Sequence, residues 1–72
     1  MTIVLNGEER ELPPGVNIEQ ALEHLSVDTN RVAVEVNHRI VSRRDWTHVE
    51  LKERDVVEIV HFVGGGSDPT QT

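Results

Sequence analysis

Three consecutive glycines, Gly64, Gly65 and Gly66, carry the most chemistry that this 72-residue sequence offers. They follow an apolar, β-branched stretch from Val56 to Val63 that reads as a strand. Without a Cβ, glycine takes any backbone angle and fits a channel too narrow for other residues. Two readings of the run are open. A frayed end or a linker has this composition. So does a reactive finger, in which a rigid body ends in a thin tail whose carboxylate reaches a partner's ATP site and is adenylylated there. The acyl adenylate would then accept sulfur or an amine, making this chain a substrate and carrier and its partner the catalyst. A phosphate-binding loop is excluded, because no helix start follows the glycines to hold an anion.

Side-chain chemistry has little support elsewhere. The sequence contains no cysteine, which removes thiolate catalysis, disulfides and thiolate metal sites together. Any sulfur handled here cannot sit on a side-chain thiol of this chain. His24, His38, His48 and His61 lack the short spacings of a metal site, so solvated or structural histidines are expected and no metal. No Ser-His-Asp order stands out, and the many carboxylates read as a charged surface. A catalytic residue is therefore not expected, and neither is an enzyme. With 7 Lys+Arg against 13 Asp+Glu the formal charge is −6. That sign repels nucleic acid and anionic membranes and suits a partner with a basic docking surface. Trp46 and Phe62 are too few aromatics for base stacking. No apolar run approaches the roughly 20 residues that span a bilayer. Met1 to Leu5 lacks the basic start of a signal peptide, and the expected location is cytoplasmic.

The elements that must position the glycines are legible in order. Thr2 to Leu5 and Glu8 to Leu12 flank Asn6-Gly7, a pair suited to a type I′ hairpin turn. Pro13-Pro14-Gly15 ends the second strand. Asn17 with Gln20 three residues on predicts a capping box, and Ile18, Ala21, Leu22 and Leu25 form one apolar stripe on a short helix. Val32, Val34 and Val36 alternate along a strand from Arg31 to Asn37. Asn37-His38 is a turn candidate, Arg39 to Val41 a short strand, and Leu51 a core position. Hairpin, helix, then strands with a central last strand is the plan of a β-grasp (ubiquitin-like) α+β fold. It has a mixed sheet of four to five strands and one main helix packed across it. The expected organisation is one domain over residues 1–63 and a flexible glycine-rich tail over 64–72.

With these residues in place the sequence resembles the ThiS family, the sulfur carriers of bacterial thiamine biosynthesis. The likeness runs from Thr2 to Gly66. It is carried by Ile3-Val4-Leu5-Asn6-Gly7, by Val32 to Asn37, by Ile40-Val41 with Arg43 and Trp46, and most of all by Asp55 through Gly66. The resemblance implies activation by an E1-like adenylyltransferase of the ThiF type, which uses ATP and magnesium; this chain itself binds no cofactor. It implies a thiocarboxylate on Gly66, with Gly64 and Gly65 threading the partner's channel. It further implies a sulfur donor system and delivery of the sulfur to a thiazole synthase of the ThiG type. A MoaD-like carrier for molybdopterin, another sulfur-transfer or conjugation pathway, and a β-grasp binding module with an inert tail are the alternatives.

Two further expectations concern residues near the glycines. The family usually ends at the diglycine, whereas Ser67 to Thr72 follow Gly66 here. While they remain, Gly66 is an internal amide with no carboxylate to activate; three explanations stay open, cleavage after Gly66, residues foreign to the natural protein, and a chain that is no working carrier in this form, and cleavage is the reading adopted. Val60 and Phe62 share one face of the last strand, opposite Val57 and Ile59. If the helix covers the other face, Val60 and Phe62 form a partner-docking patch; the bland alternative is that both faces pack.

Overall fold

In the computed structural model, residues 1–62 are described. They comprise β1 (Thr2–Leu5), β2 (Glu8–Glu11), α1 (Ile18–His24), β3 (Val32–Val36), β4 (Arg39–Val41), a 3₁₀ turn (Arg43–Asp45) and β5 (Val56–His61). The described strands form a mixed five-stranded sheet in the order β2-β1-β5-β3-β4. β1 pairs antiparallel with β2 and parallel with β5, and β5 pairs antiparallel with β3. The expected β-grasp plan is the observed one, with the last strand central.

Local chemistry explains each element. Both hairpins turn through residues at positive φ, Asn6 (48°) with Gly7 (86°) and Asn37 (52°) with His38 (71°), as a type I′ turn requires. β2 reads Glu-Glu-Arg-Glu and is exposed throughout, a charged edge that resists pairing with another chain. The capping box forms as expected: Gln20 N–H donates to Asn17 Oδ1 at 2.8 Å, and Asn17 N–H donates to Gln20 Oε1 at 2.9 Å. α1 stops in a Schellman motif. Ser26 N–H donates to the Glu23 carbonyl and Val27 N–H to the Leu22 carbonyl. Ser26 there sits at φ 57°, a left-handed position that glycine would hold with less strain.

The core lies on one face of the sheet. Ile18, Ala21 and Leu22 of α1 pack over Ile3, Leu5, Val32, Val34, Val57 and Ile59, with Leu12, Val16, Trp46 and Leu51 closing the ends. Leu25, the last member of the expected stripe, is half-buried at the helix cap. Trp46 is core rather than surface: it is buried, its indole N–H donates to the Val41 carbonyl at 3.1 Å, and the Arg43 guanidinium stacks on its ring.

Candidate functional site: the last strand and the outer sheet face

The glycine run lies outside the described residues, as do Val63 and Ser67 to Thr72, so the expectations placed on Gly64, Gly65, Gly66 and the division at residue 63 fall there. The strand that leads to it is well defined. β1 stops at Leu5, which leaves the β5 backbone beyond Val57 without a strand on that side. Asn6 takes the place of the missing strand. Its side chain accepts from Ile59 N–H at 2.9 Å and donates to the Ile59 carbonyl at 3.4 Å. At the start of β5, Asn37 accepts from Val56 N–H at 2.9 Å and donates to the Asp55 carboxylate at 3.0 Å. The two turn asparagines thus fasten β5 at its start and at its middle. Their short amides supply both hydrogen-bonding functions, and asparagine tolerates the positive φ the turns demand. Beyond Ile59, β5 continues along β3, with Val60 opposite Ala33 and His61 opposite Val32. Phe62 N–H then donates to the Arg31 carbonyl at 2.8 Å. A rigid, two-sided strand therefore becomes a one-sided one just before the glycines.

β5 divides its side chains between two environments. Val57 and Ile59 are buried under α1, while Val60 is 51% exposed and Phe62 41%. The bland expectation, that both faces of this strand pack, does not hold: a single helix covers one face, and no described element lies over the other. Ile40 of β4 is 75% exposed and joins this face, since it stands opposite Glu35 and Glu35 stands opposite Glu58. Sequence reading names Ile40 within the family likeness but gives it no surface role, although its place in a three-residue edge strand was the available signal.

The face also carries a group that spacing along the chain concealed. Glu35, Glu58 and the His38 ring bring their ligand atoms within 4.8 Å of one another. By spacing along the chain His38 is no different from the other histidines. The strand register, which sequence reading did not reach, sets it beside two carboxylates. His24, His48 and His61 are exposed and do not join it. Neither carboxylate forms an ion pair among the described residues, where Arg54 with Glu9 and with Glu53 are the pairs found.

A five-stranded mixed sheet with parallel β1 and β5 and one helix across it defines a β-grasp protein. The chain belongs to the ThiS family: the family's model matches residues 3–66, a span that closes on the third glycine. It is 45% identical over 49 residues to the sulfur carrier protein ThiS of Bacillus subtilis, covering 68% of this chain and 74% of that one. It is 44% identical over 68 residues to the thiazole synthase of Paramagnetospirillum magneticum, covering 94% of this chain but 21% of that protein. The chain thus spans about a fifth of the first curated relatives it matches. The solved structure of the thiamine biosynthesis protein ThiS from Geobacter metallireducens superposes with a TM-score of 0.80 at 29% identity, covering 92% of this chain and all of that one. The family is one of small carriers rather than enzymes.

Proposed function

We propose that this chain is a sulfur carrier of thiazole formation in thiamine biosynthesis, and that Gly66 is the residue that bears the sulfur. The observation that carries the reading is the family match itself, which runs through the glycines and closes on Gly66. In the proposed cycle, Ser67 to Thr72 are first removed to free the Gly66 carboxylate. An adenylyltransferase of the ThiF type then binds ATP and magnesium; the carboxylate oxygen attacks the α-phosphorus and pyrophosphate leaves. A sulfide-level nucleophile from the donor system next attacks the acyl carbon, forming a C–S bond as the C–O bond to AMP breaks. The resulting thiocarboxylate delivers sulfur to a thiazole synthase.

The chain's own part is to hold and present. β5, fastened by Asn6 and Asn37, supplies a fixed base for the glycines. Without side chains they thread where the partner's catalytic atoms lie. Val60, Phe62 and Ile40 offer the partner an apolar surface beside the tail. No described helix is long and apolar enough to cross a membrane, and we assign the carrier to the cytoplasm. The thiazole synthase relatives favour this pathway over molybdopterin synthesis, since a segment similar to this whole domain forms part of those longer proteins.

The test is the intact mass of the untagged protein recovered from its own host. The expected species ends at Gly66, a fraction of it with one oxygen exchanged for sulfur. Protein that always retains Thr72, in cells making thiamine, would overturn the reading.

A further inference from the structure

The hairpin turn between β1 and β2 holds a reactive dipeptide. The sequence has four asparagines, and of these Asn6 alone is followed by glycine; Ile18, Arg31 and His38 follow the others. The carbon of an asparagine amide is open to attack by the backbone nitrogen of the next residue, and a side chain on that residue hinders the approach. Gly7 offers no such hindrance, and a Cβ built there would meet nothing within 4 Å. Its N–H forms no hydrogen bond among the described residues, in keeping with its place in a two-residue turn. Asn6 itself is exposed. What restrains the reaction is the grip of the Asn6 amide on Ile59, whose N–H donates to Oδ1 at 2.9 Å and whose carbonyl accepts from Nδ2 at 3.4 Å. The second contact is longer than the usual range of about 2.7–3.2 Å. The grip is therefore weaker at Nδ2, the atom that would leave.

We propose that Asn6 is a deamidation site, and that its conversion to aspartate or isoaspartate unfastens β5 ahead of the glycines. Once the side chain leaves Ile59, base takes the Gly7 N–H proton and the nitrogen attacks Asn6 Cγ. The N–Cγ bond forms, the Cγ–Nδ2 bond breaks, and ammonia leaves with a proton from water. Water then opens the cyclic imide at either carbonyl. One opening gives aspartate; the other gives isoaspartate, with the main chain running through the former side chain. Neither product restores the grip. Asparagine supplies a donor and an acceptor, whereas a carboxylate supplies acceptors alone. One oxygen still takes the Ile59 N–H, but the other then faces the Ile59 carbonyl, acceptor against acceptor, in a part-buried place. Isoaspartate also lengthens the backbone inside a turn whose residues hold φ 48° and 86°, which breaks the Leu5–Glu8 register. β1 supplies no strand to β5 beyond Val57, so the sheet does not make good the loss on that side. The intact grip delays the reaction, because attack requires local opening. The inference does not depend on the carrier reading, since its readouts lie in this chain alone.

The experiment incubates the full chain, warm and at mildly alkaline pH, and follows its asparagines by peptide mapping. A protein isoaspartate methyltransferase with a labelled methyl donor is the probe for isoaspartate. Asn6 is expected to convert before Asn17, Asn30 and Asn37, and to convert faster in urea below the unfolding transition. Hydrogen exchange at Ile59 is then read on the converted chain, separated by its added negative charge, and on Asn6→Asp, which gives the aspartate product directly. Thermal melts check that both are folded. Exchange at Ile59 about 5–30-fold faster than in the unmodified chain is expected in each. Another asparagine converting first would overturn the site. Conversion no faster in urea would overturn the protective grip. Unchanged exchange at Ile59 in either product would overturn the unfastening.

Discussion

β5 has two sides that answer to different demands. Val57 and Ile59 face α1 within the core, and neighbouring Glu58, Val60 and Phe62 face outward. The inner residues follow the ordinary rule that apolar side chains leave water. The outer ones break it twice, by exposing apolar side chains and by setting Glu58 against Glu35. Departures from local consistency concentrate where a protein meets something else. The comparison therefore separates residues that hold the fold from residues that present it, along one strand.

The strongest test of that separation is a pair of substitutions on adjacent residues. Ile59→Ala removes buried volume under the helix and is expected to cost about 2–5 kcal/mol in chemical denaturation. Val60→Thr keeps the β-branch at an exposed site and should move stability by no more than about 0.5 kcal/mol. Similar losses at both would erase the distinction. Asn6→Ala comes next. It deletes two side-chain bonds to Ile59 and leaves part-buried backbone groups unpaired, so a loss of about 1–3 kcal/mol is expected. Hydrogen exchange should quicken in the second half of β5 more than in β2; uniform quickening would deny Asn6 its local role. The last expected effect is a gain. Ser26→Gly relieves a left-handed serine in the helix cap and should add about 0.5–1 kcal/mol without touching partner affinity, as melting and binding titrations would show.

Much of the inner side was legible from sequence because its signals are local. Asn17 and Gln20 announced the capping box, Ile18, Ala21 and Leu22 the buried stripe, and Val32, Val34 and Val36 the strand beneath it. The outer side was legible only in part. Val60 and Phe62 were readable as one face by alternation, yet whether that face is covered depends on how many helices pack on the sheet. The grouping of Glu35, His38 and Glu58 was not readable at all, because it joins residues 23 apart through strand register, from 35 to 58. Asn6 belongs with these. Its turn role was evident from the following Gly7, and the β-grasp plan set β1 beside β5; its bridge to Ile59 requires the register at which β1 ends against β5.

The carrier claim is tested most directly at Gly66. The chain ending at Gly66, the chain ending at Thr72 and a Gly66-ended chain carrying Gly65→Ala would each be mixed with the host's ThiF-type enzyme, magnesium and ATP. Exchange of labelled pyrophosphate into ATP is the readout. The account predicts exchange with the Gly66-ended chain, little with the alanine variant and none with the longer chain. Failure of the Gly66-ended chain to support exchange, while it still binds that enzyme, would contradict it.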